Sequence, residues 1–116
     1  MSDLLDKVHF SGGFSDMDRH LVANTLAQAL DRFAHLDRTW TMELSVKERE
    51  LPGQTVTLEA FIAGVPRLVA TSRLADLKAA LNDVGNDLRR QLNKMRELQA
   101  PQTNRAKRDT IRGGGN

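Results

Sequence analysis

The sequence predicts an α+β protein: a two-layer sandwich with the element order β-α-β-β-β-α, in which a four-stranded sheet carries both helices on one face. Two observations lead to this fold class. Four short segments alternate apolar and polar side chains, which is the pattern of half-buried strands. Two longer segments repeat apolar side chains every three or four positions, which is the pattern of a helix with one buried stripe. Because each element has a single apolar face, two layers bury all of these faces.

The first strand and the first helix are predicted near the N-terminus. Residues 7–11 alternate apolar and polar side chains, and Gly12-Gly13 ends the pattern. Ser15 is the predicted N-cap, and Asp18 stands three residues later in the capping-box position. We expect one helix of about five turns, because apolar residues then recur at helical spacing. These residues are Leu21, Val22, Leu26, Ala29, Leu30, Phe33 and Leu36.

Three more strands are predicted over residues 40–47, 55–62 and 65–72. The turn signals between them are Leu51-Pro52-Gly53 and Ala63-Gly64. Connections this short imply an antiparallel meander. The sheet face away from the helices is expected to be exposed to water, and it would carry Thr41, Glu43, Ser45, Lys47, Thr55, Thr57, Glu59 and Arg67.

The last helix is predicted to begin after Asp76 as its N-cap and to continue through residue 98. Gly85 lies inside it and costs about 1 kcal/mol relative to alanine, so a close packing contact is expected there. Residues 99–116 contain one large apolar residue, Ile111, and four basic residues. The predicted organisation is therefore one folded domain over residues 1–98 and a disordered basic tail over residues 99–116.

Charge is unevenly distributed along the chain, although the formal net charge is only +2. Residues 1–66 hold 6 basic and 10 acidic residues, whereas residues 67–116 hold 11 basic and 5 acidic residues. This asymmetry is a reason to look for an anionic partner at the C-terminal end, and a solvated helix face with a soluble tail is the alternative that remains open. The absence of cysteine excludes disulfides and thiolate zinc sites. With no membrane-spanning run and no secretory signal, a cytoplasmic protein is expected.

Catalysis and metal binding are not predicted. His20 follows Asp16 by four residues, which is hydrogen-bonding distance on a helix, but no nucleophile can be placed beside this pair. The spacing is more typical of a surface contact. No His-x-x-x-His motif or carboxylate cluster is present, and Gly12-Gly13 is too short for a phosphate loop. We therefore expect no enzyme activity, no cofactor and no small-molecule substrate.

Nucleic-acid binding is favoured by the last helix. One row of side chains that its apolar stripe leaves exposed is Lys78, Asn82, Asn86, Arg89, Asn93 and Arg96. The adjoining row is Asp83, Asp87, Arg90, Lys94 and Glu97, in which Asp87 can pair with Arg90. Cations mixed with amides suit contacts to phosphate and sugar. Since Phe61 is the only strand aromatic predicted to point outward, a preformed phosphate-lined surface is favoured over stacked single-stranded bases.

The segment from Asp76 to Lys94, with Ala-Ala-Leu in its first turns and Arg90-Gln91-Leu92-x-Lys94 near its end, resembles the last helix of the ribosome hibernation factors. Members of this family are also called ribosome-associated inhibitor A, protein Y or hibernation promoting factor. The element order resembles the family over about residues 7–98. The chain resembles the short form, which lacks the dimerising C-terminal domain.

The resemblance implies a partner, the small ribosomal subunit with its 16S rRNA and proteins, and a site in the channel of messenger RNA and the A- and P-site tRNAs. Residues 1–98 would be the ribosome-binding domain of a monomer that blocks translation under stress or in stationary phase. The motif carries three RNA-binding positions, Arg90, Gln91 and Lys94. Charge and expected exposure add Arg67, Arg73, Lys78, Arg89 and Arg96.

Two other functions remain open at this point. The same sandwich could regulate a protein partner, in the manner of a sigma-factor modulator, through its tail or its open sheet face. It could also bind double-stranded RNA, which is disfavoured because no helix begins with a lysine-rich turn.

Overall fold

The computed structural model describes residues 4–98, so the predicted tail over residues 99–116 lies outside the described residues. Two 3₁₀ segments, Leu4–Lys7 and Asp16–Asp18, precede the first strand and the first α-helix respectively. The strands are β1 (Val8–Phe10), β2 (Trp40–Lys47), β3 (Thr55–Ile62) and β4 (Leu68–Ser72). The α-helices are α1 (Arg19–Thr25), α2 (Ala27–Ala34) and α3 (Leu77–Leu98).

The four strands form one mixed sheet in the order β1-β2-β3-β4. The edge strand β1 runs parallel to β2, with His9 opposite Glu43. The remaining pairs are antiparallel, and the β2–β3 ladder extends from Trp40 opposite Ile62 to Lys47 opposite Thr55. The predicted α+β sandwich with its meander is therefore confirmed.

The core lies between the sheet and the helices, as the alternation of side chains predicts. Along β2, buried residues alternate with exposed or half-buried ones without interruption. The rings of Phe33 and Trp40 pack with centroids 5.3 Å apart, which joins α2 to the start of β2. Leu5, in the first 3₁₀ segment, is 1% exposed and belongs to the same core. Its contribution was not predicted, because a single turn of helix has no apolar period to detect.

Two predicted elements differ from the structure. The expected single helix of five turns is divided at Leu26, whose backbone angles are φ −98° and ψ 11°. Hydrogen bonds still cross the break, from the Leu26 N–H to the Val22 carbonyl at 2.8 Å and from the Leu30 N–H to the Leu26 carbonyl at 2.9 Å. The apolar stripe therefore continues across it. The last strand starts at Leu68 rather than at residue 65, because Pro66 has no N–H and the Val65 N–H bonds back to Ile62 in the turn.

Both predicted N-caps are confirmed. The Ser15 hydroxyl accepts from the Met17 N–H at 3.3 Å, and Asp18 Oδ2 accepts from the Ser15 N–H at 3.0 Å, which completes a capping box. This box opens the 3₁₀ turn that precedes α1. At the start of α3, Asp76 Oδ2 accepts from the Ala79 N–H at 2.9 Å.

A close packing contact was predicted at Gly85, because glycine is unfavourable inside a helix, and the structure shows this contact. A Cβ atom at this position would lie 2.9 Å from Leu26 Cδ2 and 3.8 Å from Ala29 Cβ. The missing side chain therefore lets α3 approach the junction of α1 and α2. None of the helices within residues 4–98 is both long enough and apolar enough to cross a membrane.

Asp18 also forms a bidentate ion pair with Arg49, and this pair predicts how stability depends on pH. Both Arg49–Asp18 contacts measure 2.9 Å, and hydrogen bonding to the guanidinium lowers the Asp18 pKa below its ordinary 3.8. A lowered pKa stabilises the fold above pH 3.8, and this contribution is lost as the pH falls through the pKa of the folded state. We expect Asp18→Asn to unfold at lower temperature than the wild type at pH 7, with the difference closing below pH 3.8. Asp16→Asn, at an exposed carboxylate in the same turn, is the control, and a difference for Asp18→Asn that does not shrink as the pH is lowered from 7 through 3.8 and below would contradict the assignment.

Candidate nucleic-acid interface

Three predicted RNA-binding cations lie exposed along the second half of α3: Arg90, Lys94 and Arg96. The Arg90 side chain is 70% exposed, and its guanidinium lies 3.5 Å from Asp87, so the predicted pair within the helix is confirmed. An exposed pair of this kind contributes little to stability. Arg90 can therefore leave Asp87 and bind a phosphate with little loss of folding free energy.

Arg89 and Asn93 are less exposed than the helix pattern predicts. Arg89 Nη1 donates to Gln28 Oε1 at 2.9 Å, and Arg32 Nη2 donates to Asn93 Oδ1 at 2.9 Å. Both bonds connect α3 to α2, and both α3 side chains are half-buried. This flank of α3 thus faces the preceding helix, whereas the opposite flank carries Arg90 and Lys94.

Gln91 is half-buried and makes two hydrogen bonds within the fold. Its Nε2 donates to the Val69 carbonyl at 2.8 Å and to Asp87 Oδ2 at 3.3 Å. The first bond ties α3 to the edge strand β4. Gln91 therefore helps to position the helix, and its predicted contact with RNA stays a prediction.

The other predicted cations do not join the same patch. Arg67 is exposed next to β4 and pairs with Glu59 at 3.6 Å, which places it with the outward side chains of the sheet. Arg73 and Lys78 are exposed on either side of the start of α3. The eight predicted residues therefore divide into three groups. The exposed cations of the second half of α3 are called the C-terminal patch: Arg90 and Lys94 on one flank, and Arg96 in the row of Arg89 and Asn93. Arg67, Arg73 and Lys78 are separate cations, and Arg89 and Gln91 bond to neighbouring elements.

Sequence reasoning missed a polar cleft between the helices, which we call the amide cleft. It has a volume of about 240 Å³ and lies where the α1–α2 junction meets the middle of α3. Its lining residues are Asn24, Thr25, Gln28, Ala29, Asn82, Gly85 and Asn86. The available signal was the spacing of four between Asn24 and Gln28 and between Asn82 and Asn86, which places each pair on one helix face.

The described residues offer no metal centre, since residues 4–98 contain no cluster of three His, Asp or Glu side chains placed around one point. His20, the histidine considered for catalysis, is exposed, and its Nε2 lies 3.2 Å from the Asn24 amide nitrogen. The chemistry that this surface offers is therefore ionic and hydrogen-bonding contact.

Comparison with solved structures identifies the fold. The chain is similar to the N-terminal domain of Thermus thermophilus protein Y, with a TM-score of 0.56 at 15% sequence identity, over 76% of this chain and 94% of that one. The chain has a protein Y-like fold. No protein-family model and no curated protein sequence matches the chain. The likeness to protein Y is thus one of architecture, and it agrees with the architecture that the hibernation-factor resemblance implies.

Proposed function

We propose that this protein is a non-enzymatic translation inhibitor that binds the 16S rRNA of the small ribosomal subunit. The observation that carries the proposal is the exposed C-terminal patch of α3 on a protein Y-like fold. The last helix also has the Arg90-Gln91-Leu92-x-Lys94 motif of the hibernation factors. The place of action is the cytoplasm, under stress or in stationary phase.

The mechanism is steric exclusion. Arg90, Lys94 and Arg96 contact phosphates, and such contacts position a protein without reading base sequence. The folded domain then occupies the channel that messenger RNA and the A- and P-site tRNAs would use. Release follows from competition and from salt, because each neutralised phosphate makes binding more sensitive to ionic strength.

Charge reversal of the C-terminal patch tests the proposal. We expect Arg90→Glu, Lys94→Glu and Arg96→Glu together to abolish co-sedimentation with purified small subunits, since three phosphate contacts become repulsive. Arg89 is left unchanged, because its hydrogen bond to Gln28 joins α3 to α2. Salt titration of the wild type should show a steep linear fall of log affinity with log salt concentration.

Matched single variants separate a local effect from net charge. Lys94→Glu and Lys47→Glu change the total charge equally, and both lysines are exposed, but Lys47 lies at the end of β2. We expect Lys94→Glu to weaken subunit binding about tenfold and Lys47→Glu to weaken it far less. The proposal would be contradicted if the two single variants lost equal affinity for small subunits, or if the triple variant still sedimented fully with them.

A protein-interaction module is the second candidate, and one observation favours it. On the open sheet face Phe61 and Val69 are 39% and 40% exposed, and Phe61 borders an apolar depression of about 390 Å³. Such a surface suits an apolar side chain of a protein partner. Gradient sedimentation of lysate separates the two functions, because a protein regulator would migrate away from the ribosomal fractions.

A further inference from the structure

The open face of the sheet has an apolar depression at one end. The depression, of about 390 Å³, lies where the β2–β3 ladder places Trp40 opposite Ile62, and its lining includes Phe61 and Val65. Phe61 is 39% exposed, so a large part of its ring meets water. An exposed apolar patch rimmed by polar groups is typical of an interaction site.

Two glutamates lie side by side next to this depression. Glu43 and Glu59 are paired across β2 and β3, and Phe61 follows Glu59 on the same face. Like charges directly opposite each other destabilise a sheet. Arg67 lies 3.6 Å from Glu59 and offsets its charge. Glu43 accepts a hydrogen bond from Ser11 Oγ at 3.1 Å, and within residues 4–98 no cation pairs with it. The face therefore offers an apolar contact beside a carboxylate that a cation can still neutralise.

The last helix ends at the same end of the sandwich as the depression. Met95 and Arg96 of α3 line one pocket together with residues 35–38, which lead into β2. From this corner Arg38 Nη1 donates to the Ala63 carbonyl at 3.1 Å, and Ala63 lines the depression. The chain that follows residue 98 therefore starts close to the depression.

The segment 105–112, outside the described residues, has the composition that this face would bind. It contains one large apolar residue, Ile111, one acid, Asp109, and four cations, which are Arg105, Lys107, Arg108 and Arg112. Ile111 follows Leu98 by 13 positions, and an extended chain of that length reaches about 40 Å. Strand β3, with 8 residues, is about 26 Å long, so this reach covers the sheet.

We propose that residues 105–112 lie across the open sheet face, with Ile111 in the apolar depression and a neighbouring cation next to Glu43. Burying one isoleucine raises an equilibrium constant roughly tenfold to a hundredfold. Tethering adds an effective concentration on the order of millimolar, so a contact too weak to form between separate molecules is populated within one chain. The sheet face is then covered by the chain itself, and a protein partner of this face would have to displace the tail.

The absence of cysteine lets a single spin label report this contact in the full chain. Thr110→Cys carries a nitroxide beside Ile111, and the intensities of the backbone amide NMR signals are compared with the label oxidised and reduced. We expect the signals of Phe61 and Ala63 to lose about half of their intensity or more, since millimolar tethering populates a millimolar contact to that extent. The signal of Asn82, exposed on α3, should keep its intensity. Equal losses at all three positions, or none at Phe61 and Ala63, would overturn the proposal.

Two substitutions and one matched control locate the contact. Ile111→Ser, with the same label, should restore the Phe61 signal, because a hydroxyl gains nothing from an apolar depression. Glu43→Gln keeps the size of the side chain and should reduce the loss at Phe61, whereas Asp83→Asn removes an exposed carboxylate of α3 and should leave the loss unchanged. A loss at Phe61 that persists in Ile111→Ser would contradict the assignment of Ile111 to the depression.

A mixing experiment separates a contact within one chain from a contact between two copies. Spin-labelled protein without isotope label is mixed with isotope-labelled protein that carries no spin label. We expect no loss of the Phe61 signal in this mixture. A loss as large as that within one chain would assign the depression to the tail of a second copy and overturn the proposal. Both measurements use the protein alone, so their outcome is independent of sedimentation with small subunits.

Discussion

Replacing Gln54 by leucine is expected to lower the free energy of unfolding by about 3 kcal/mol, because three backbone groups would lose their partner. Gln54 is 1% exposed and lies directly before β3. Its Oε1 accepts from the Glu50 N–H at 2.6 Å, and its Nε2 donates to the carbonyls of Leu74 at 2.9 Å and Ala75 at 3.1 Å. Leucine has similar volume, so the loss comes from unpaired polar groups and not from a cavity.

Urea denaturation of Gln54→Leu beside wild type measures this change. Gln28→Leu is the control, since Gln28 is an exposed glutamine whose side chain bonds to Arg89 and to no buried backbone group among the described contacts. We expect the control to lose less than about 1 kcal/mol, as surface substitutions usually do. A loss for Gln54→Leu no larger than that of the control would show that the backbone groups find other partners.

Replacing Gly13 by alanine is expected to have an effect of similar size, about 3 kcal/mol, from two causes. Gly13 has φ +90°, a backbone conformation that residues with a side chain rarely adopt. A Cβ there would also lie 2.6 Å from the Val46 carbonyl oxygen and collide with the Val46 side chain. The Val46 backbone cannot move away from the added Cβ as a flexible side chain could, because Val46 is hydrogen-bonded in the central ladder of β2 and β3.

The neighbouring glycine provides the control. Gly12 has no positive φ, and the nearest atom to its added Cβ is the Val46 carbonyl oxygen at 3.9 Å, an ordinary contact. Gly12→Ala should therefore be neutral or slightly stabilising, because alanine restricts the unfolded chain. Thermal unfolding of the two variants decides the matter, and similar melting temperatures would contradict the argument from φ and contact.

The fold could be predicted because strands and helices of this chain each bury one face. The alternation in β2 and β3 is uninterrupted, and the caps at Ser15 and Asp76 use side chains whose hydrogen bonds are local. The break at Leu26 could not be predicted in the same way. The apolar spacing continues through it, so the period contains no trace of the change in backbone angles.

The candidate site was only partly predictable, for a related reason. An apolar stripe shows which side of α3 faces the core, but not which neighbour lies against each flank. Arg89 and Gln91 both stand next to the stripe, and their partners, Gln28 and the Val69 carbonyl, are more than twenty residues away in the chain. Long-range contacts of this kind give both residues partners within the fold, while their predicted contact with RNA stays a prediction.

The amide cleft escaped prediction because none of the three helices forms it alone. Its carboxamides come from α1, α2 and α3, and each pair on its own resembles an ordinary polar surface. Gln54 was missed likewise, since a glutamine after a turn gives no sign that its amide holds carbonyls 20 and 21 residues later. Which polar groups become buried depends on how the sheet and the helices pack against each other, and the spacing of residues along the sequence does not show this.

The residue found at position 85 in relatives of this chain would show whether the cleft has been kept. Alanine would raise intrinsic helix stability there by about 1 kcal/mol, so a helix that served only to cover the sheet would be expected to exchange the glycine readily. Here an added methyl group would press on Leu26 and also narrow the amide cleft that Gly85 lines. Helix packing and the volume of the cleft therefore both depend on the absence of a side chain at this position. In relatives of this chain, a larger residue at position 85 would mark those in which the cleft has closed.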